Sequence, residues 1–349
     1  MSDQSNPIDS IIKFRLIPNH YNPANTIIFL GNGNLDFGLR VASHFNPECL
    51  SSCRIQRFSN GEIRIPPIEE NIRQKDCVII QTADISSRGS VNDLLMELFV
   101  LIDAIRRGSA RSIMVVLPIF PYQRQDRKDC SRAPISSRMI STFLETQGVN
   151  RVICFDLHAG QIQGFFDKTP LDNLFSEPYF IKYIKKNFNA EQLNNLVIVS
   201  PDEGGVKRAT RVSDKLGCSA AIMYKERSKA NHVDNMVLMG SVEGRICFII
   251  DDIIDTGGTA CKAADILVQN GACQVYLGAC HGVLSGPAIE RINSSNFTKV
   301  VVTNTVEVKE RFPGESDKIV VLDVSDLCAS AIDRSLTGKS LSELLNIKL

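Results

Sequence analysis

Short apolar runs alternate with amphipathic stretches along most of the chain. Runs at 26–30, 77–81, 112–117 and 152–155 have the length and β-branched content of buried strands, whereas 35–45, 91–106 and 135–146 space apolar residues three and four apart, as helices do. In 91–106 the stripe is Leu94, Leu95, Leu98, Leu101, Ile102 and Ile105. The units share one punctuation: Gly108 precedes the run at 112–117, Gly148 that at 152–155 and Gly271 that at 275–279. A helix stopped at glycine and followed by a buried strand predicts the βα alternation of a parallel sheet.

The second half repeats the plan. Strands are predicted over 196–199, 220–224, 236–240, 246–250, 275–279, 300–303 and 319–322, and helices over 178–187, 204–215, 259–270, 286–293 and 327–336. The predicted fold is therefore α/β, with two similar halves, each a mainly parallel sheet flanked by helices. A polar, loosely ordered extension occupies 1–25, the first domain 26–175 and the second 176–349, with the tail at 338–349 returning to pack on the first half. Gly31-Asn32-Gly33-Asn34, directly after the first strand, reads as a chain reversal in preference to a phosphate loop.

Composition narrows the function classes. The 349 residues are 44% hydrophobic and 22% charged, which is ordinary for a globular protein. Lys+Arg and Asp+Glu are both 39, so no overall field argues for nucleic acid or a membrane, and an anion site must be built locally. The eleven cysteines are odd in number and contain no CxxC pair, a pattern of reduced thiols that predicts a cytoplasmic protein. Residues 1–20 make a poor signal peptide, and no apolar stretch approaches the roughly 20 residues that span a bilayer.

The chemistry concentrates in residues 247–262, CFIIDDIIDTGGTACK. An apolar run ends in Asp251 and Asp252, Asp255 follows, and the turn Thr256-Gly257-Gly258-Thr259 opens a helix. Adjacent carboxylates on a strand point to opposite faces, so both belong at its carboxyl end, where ligands bind in open α/β sheets. The glycines let an anion approach backbone N–H groups at a helix N-terminus. Asp255 or Thr256 can equally cap that helix.

DDIIDTGGT resembles the phosphoribosyl-diphosphate motif shared by type I phosphoribosyltransferases and ribose-phosphate pyrophosphokinases. Other stretches resemble the class I pyrophosphokinase alone. Phe58-Ser59-Asn60-Gly61-Glu62 resembles its adenine-recognising loop, where Phe58 stacks on the base and Asn60 and Glu62 pair with its edge; Phe58 as a core residue is equally open from the loop itself. The cluster at 121–134, PYQRQDRKDCSRAP, follows a strand, and the resemblance places Arg124, Gln125 and Asp129 on ATP. VICFDLHAGQIQGFF at 152–166 matches the family's most recognisable stretch; there His158 is catalytic and holds Mg²⁺ together with Asp202 of SPDEGGVKR. YKERSKANHV at 224–233 resembles the catalytic loop, with Lys225 and Arg227 over the transferring group.

The resemblance implies two phosphoribosyltransferase-type domains, Mg²⁺ as cofactor, ATP and ribose 5-phosphate as substrates, and a homo-oligomer of dimers, hexameric in type, whose Phe58 loop enters a neighbour's site. No nucleic acid or membrane partner is implied. Asp251 and Asp252 orient the ribose hydroxyls, directly or through Mg²⁺, and 255–259 hold the 5-phosphate. Arg73, Arg132 and Ser136 match a regulatory phosphate and ADP site, although Asn71 stands where a serine is expected. Other departures are Glu203 in place of alanine and a longer loop at 84–92. Two other readings remain: a transferase using the same turn with a nucleobase, and a non-catalytic regulatory subunit.

Overall fold

The computed structural model describes residues 22–226, 235–309, 312, 314 and 316–345. Strand β1 (Thr26–Leu30) leads to helix α1 (Leu35–Ala42) and a small hairpin, β2 (Gln56–Arg57) and β3 (Ile63–Arg64). Then come β4 (Asp76–Ile80), α2 (Val91–Arg107), β5 (Ser112–Val116), α3 (Ser136–Thr146), β6 (Arg151–Phe155) and β7 (Leu171–Leu174). The second half runs α4 (Glu177–Asn187), α5 (Ala190–Asn194), β8 (Leu196–Ser200), α6 (Val206–Leu216), β9 (Ser219–Glu226), β10 (Asn235–Met239) and β11 (Ile246–Ile254). It closes with α7 (Gly258–Gln269), β12 (Gln274–Gly282), α8 (Ala288–Ser294), β13 (Lys299–Thr303), β14 (Ile319–Leu322), α9 (Ser325–Thr337) and α10 (Ser342–Leu345).

The first sheet has the order β1-β4-β5-β6-β7 and is parallel throughout. The second has the order β10-β9-β8-β11-β12-β13-β14, with β9 and β10 antiparallel and the rest parallel. The fold is thus the α/β arrangement that the sequence predicts. Local chemistry sets the boundaries. Ser90 caps α2 by accepting from the Asp93 amide while the Asp93 carboxylate accepts from the Ser90 amide, and Gly217 ends α6 in the left-handed conformation at φ 66°. Gly33 lacks a Cβ because one would overlap the Thr82 carbonyl, so this turn closes on protein.

Each sheet is covered on both faces. On the first, α2 and α3 bury their apolar stripes on one side, and α1 with α9 cover the other. Helix α9 crosses back from the second half: Leu327, Cys328 and Ile332 share a core with Ile28, Val78 and Phe155, and Leu341 and Leu344 of the tail pack against it. A fully buried apolar side chain contributes about 1.5–3 kcal/mol, so α9 alone is a substantial tie between the halves.

Several elements differ from the periodicity. β7 has the polar centre Asp172-Asn173 and lies at a sheet edge, so it shows no apolar run. β9 continues through Glu226 because β10 pairs with it antiparallel, Met236 opposite Lys225; Lys225 therefore belongs to a strand that the sequence reading ended at Tyr224. β11 continues to Ile254 and carries Asp251 and Asp252 within it, not beyond it. Its pairing with β8 stops at Ile249, whereas β12 accompanies it to Gly282, so the acids still occupy the carboxyl end of the sheet on the β8 side. No helix among the described residues is long and apolar enough to cross a membrane.

Candidate active site

The carboxyl ends of the two sheets meet. After β6 the chain turns through Asp156 at φ 36°, whose carboxylate accepts from the Ser176 amide at 2.8 Å and so ties down the start of the second half. Two residues on, His158 points its Nδ1 at Asp252 Oδ2, 2.8 Å away. His281 in β12 is fully buried and bridges the same junction, with Nε2 3.1 Å from the Phe155 carbonyl and Nδ1 3.0 Å from the Thr305 hydroxyl. Since a carbonyl only accepts, Nε2 carries the proton and Nδ1 accepts from Thr305.

Asp251 and Asp252 share a cation that the sequence reading missed. After β8 the turn at 201–205 leads into α6, whose first turn carries Arg208; its Nη1 lies 3.2 Å from Asp252 Oδ1 and 3.7 Å from Asp251 Oδ1. Asp251 Oδ1 also accepts from the amide of Asp252 at 2.8 Å. Burial raises the pKa of Asp252, but the His158 hydrogen bond and the Arg208 charge outweigh it and hold that carboxyl below the usual range. Burial and the neighbouring Asp252 charge push Asp251 well above that range. The bond to Asp252 raises His158 above an ordinary imidazole.

The turn after β11 has the form of a phosphate cradle. Gly257 sits at φ 75°, which favours glycine, and no side chain among the described residues caps α7, so its first amides are open to an anion; Thr256, Gly258 and Thr259 are exposed. Asp255 does not cap the helix. It accepts from the Ser285 hydroxyl and pairs with Arg124 Nη2 at 2.7 Å, and these bonds outweigh burial and keep its pKa low. Arg291, from α8, donates to the Thr256 carbonyl at 2.9 Å, which sets a second unforeseen cation beside the turn.

The basic segment follows β5. A cavity of about 440 Å³ opens between the halves, lined by Arg124, Gln125 and Tyr122, by Asp84, Ile85, Ser90, Val91 and Asn92 of the longer loop, and by Ile253 and Val283. Gln125 Oε1 accepts from the Ser136 hydroxyl at 2.6 Å, and Asp129 pairs with Arg127 at 2.7 Å. Gln123 orients the next loop by accepting from the His158 amide at 2.9 Å.

The remaining candidates make contacts of their own. Residues 58–62 form the turn of the β2–β3 hairpin, with the Phe58 amide donating to the Glu62 carbonyl at 2.8 Å and the Glu62 amide to Asn60 Oδ1 at 3.2 Å. Phe58 is 49% exposed, which removes core packing as its role; Arg64 lies 5.7 Å from its ring centroid. Asp202 Oδ1 accepts from the Gly205 amide at 3.0 Å, shaping the turn before α6, while His158 meets Asp252. Asn71 accepts from the amide of Arg73 at 3.2 Å, and Arg132 takes a left-handed backbone at φ 65°. Glu203 is exposed. Lys225 lies on β9, and Arg227, the rest of 227–234 and the extension at 1–21 lie outside the described residues.

Two mainly parallel sheets that meet at their carboxyl ends, with a glycine anion turn on one and a basic, cavity-lining loop on the other, define an α/β protein built for two phosphorylated ligands. Comparison with known proteins agrees. Residues 26–148 match the N-terminal domain of ribose phosphate pyrophosphokinase, and residues 228–346 match the phosphoribosyl synthetase-associated domain. The chain is 44% identical over 319 residues to ribose-phosphate pyrophosphokinase A of Dictyostelium discoideum, covering 91% of this chain and 97% of that one. The crystal structure of phosphoribosylpyrophosphate synthetase from Mycobacterium smegmatis superposes with a TM-score of 0.82 at 35% identity, over 90% of this chain and 99% of that one. The chain belongs to the ribose-phosphate pyrophosphokinase family.

Proposed function

We propose that the ATP half of the reaction is served by the first half of the chain, through Phe58, Asn60, Glu62, Arg124, Gln125, Asp129 and His158. Ribose 5-phosphate is served by the second, through Asp251, Asp252 and the turn at 255–259. The family's reaction transfers the β,γ-diphosphoryl group of ATP to the anomeric hydroxyl of ribose 5-phosphate, giving 5-phosphoribosyl 1-diphosphate and AMP for nucleotide biosynthesis. The observation that carries the division is the Arg124–Asp255 pair at 2.7 Å, which brings the basic loop against the sugar-phosphate turn.

In this reading the hydroxyl attacks the β-phosphorus in line and AMP departs. The open amides of α7 and the hydroxyls of Thr256 and Thr259 hold the 5-phosphate, with Arg291 alongside, and Asp251 meets the ribose hydroxyls. In the same reading Arg124 serves the ATP phosphates, and Lys225 and Arg227 neutralise charge on the transferring group. Positioning and charge complementarity supply most of the rate in phosphoryl transfer, the hydroxyl proton leaving to solvent, and no residue is assigned as a general base.

Among the described residues no three His, Cys, Asp or Glu side chains gather as a metal cage. Mg²⁺ keeps waters and shares substrate phosphates with one or two protein groups, so the expected holders are few. His158 fits as a holder because Asp252 fixes its Nδ1, the carboxylate–imidazole arrangement that orients a ligand, and Asp202 is the carboxylate to join it. Bound there, Mg²⁺ would offset negative charge on the triphosphate.

The exposed Phe58 hairpin supports a homo-oligomer in which the loop completes a neighbour's site. All eleven cysteines are free thiols, which supports a cytoplasmic location. Arg73, Arg132 and Ser136 remain the candidates for regulation, and Ser136 already touches Gln125. The test is a product assay with ATP, ribose 5-phosphate and Mg²⁺: AMP in step with 5-phosphoribosyl 1-diphosphate is expected, and ADP, or nucleotide formed only when a base is added, would refute the reading.

A further inference from the structure

Arg208 stands where a cation is least expected. It lies in the first turn of α6, at the positive end of the helix dipole, and its side chain is only 13% exposed. A guanidinium is tolerated there because two carboxylates face it, Asp252 at 3.2 Å and Asp251 at 3.7 Å. The two acids are not equivalent around it. Asp252 is 8% exposed and has both oxygens engaged, Oδ1 with Arg208 and Oδ2 with His158 Nδ1 at 2.8 Å. Asp251 is 29% exposed, and its Oδ1 is occupied by the Asp252 amide and faces Arg208, which leaves Oδ2.

We propose that Arg208 is a positioning residue for diphosphoryl transfer: it fixes Asp252 as the link to His158 and leaves Asp251 as the carboxylate that meets substrate. The inference rests on the reading above, and it revises the expectation that both acids act alike on the sugar. The chemistry follows from the planar guanidinium. Its Nη1 donates to Asp252 Oδ1 at 3.2 Å and stands 3.7 Å from Asp251 Oδ1, so one directed donor serves both acids, while a lysine ammonium is a compact point charge that supplies the charge without that fixed direction. With the directed donor gone, Asp252 can turn toward Asp251 or solvent, and His158 loses the bond that sets its ring. Adenine recognition, on the distant hairpin, and the Arg124 loop do not depend on it.

The experiment compares Arg208→Lys, Arg208→Met and Arg208→Met/Asp251→Asn with the parent, each assayed for AMP formation per folded molecule and for its urea midpoint without ligands. Arg208→Lys is expected to keep its midpoint and its KM for ATP while kcat falls about 10- to 100-fold, the usual effect of losing an outer partner of a site. Arg208→Met is expected to lower the midpoint, because buried Asp252 and half-buried Asp251 are left without the guanidinium, and Asp251→Asn in the same chain is expected to recover it without recovering kcat. Three results would each overturn the proposal: full kcat in Arg208→Lys, activity losses that merely follow the unfolded fraction, or a rise in KM for ATP that matches the fall in kcat. If the parent makes no AMP, the reading beneath it fails as well; if the parent makes AMP, those results overturn the Arg208 role alone.

Discussion

Removing Asp252 should damage the fold as well as the reaction, and removing the charge of Asp251 should damage the reaction alone. From the sequence both acids are ligands at a strand end, and Asp252→Ala should leave stability intact. The geometry says otherwise. Asp252 is 8% exposed and joins Arg208, at 13%, to His158. Breaking a buried pair costs about 3–5 kcal/mol when one charge is left behind. Asp251 remains 3.7 Å from Arg208, so the lower end, about 3 kcal/mol, is expected for Asp252→Ala. Asp251→Asn instead relieves repulsion between neighbouring acids and leaves Arg208 paired with Asp252, so a change within about 1 kcal/mol is expected. Urea unfolding at one fixed protein concentration measures both, since any oligomer would otherwise shift the midpoints by mass action. An Asp252→Ala protein as stable as the parent, or an Asp251→Asn protein equally destabilised, would refute the assignment of Arg208 and Asp252 as a buried pair.

Other expectations need less argument. Phe58→Ala should raise KM for ATP about 5- to 150-fold, the loss of one base stack at about 1–3 kcal/mol, with no change in melting temperature because the ring is exposed; an unchanged KM removes Phe58 from the adenine site. Gly257→Ala should weaken ribose 5-phosphate binding more than ATP binding, since φ 75° strains any other residue at the phosphate turn, and calorimetric titration with each ligand separates the two. Burial pushes His281 below an ordinary imidazole, so the unfolded chain binds a proton that the native chain resists. Its contribution is complete above about pH 6.5 and is lost as pH falls through and below that value. His158, raised by Asp252, has the opposite sign, contributing stability below about pH 6.5 that is lost as pH rises. Urea midpoints from pH 7.5 to 5.5 should therefore fall less in His281→Gln than in the parent, and a parallel fall would refute the burial argument.

Much of this architecture is legible in the chain because hydrophobic periodicity and glycine stops are local signals. The stripe Leu94 to Ile105 and the run into Asp251 each report their own element, and Thr256-Gly257-Gly258-Thr259 reports a turn whose open amides the structure then displays. The pairings are a different matter. His158 and Asp252 are 94 positions apart, and Arg124 and Asp255 are 131 apart, so no spacing rule connects them. Arg208 did leave a trace in the sequence: Lys207 and Arg208 open a predicted helix where acids are favoured, and a cation set against the helix dipole asks for a carboxylate nearby. The β2–β3 hairpin left little, because two-residue strands with exposed side chains carry no buried run.

The way the halves are joined bears on how the site can work. Helix α9 is packed into the core of the first half, and His281 joins the end of β12 to the end of β6 through the Phe155 carbonyl. Asp156, one residue further on, holds Ser176 at the start of the second half. These contacts lie behind His158 and Asp252, so opening the halves as rigid bodies would have to break a fully buried histidine bridge and expose an apolar helix face. Substrate binding is therefore better served by exchange of side chains than by separation of domains. The Arg124–Asp255 pair has the character for it: Arg124 is 57% exposed, the contact spans the two half-sites, and an incoming phosphate offers the guanidinium an alternative partner at little cost in buried charge.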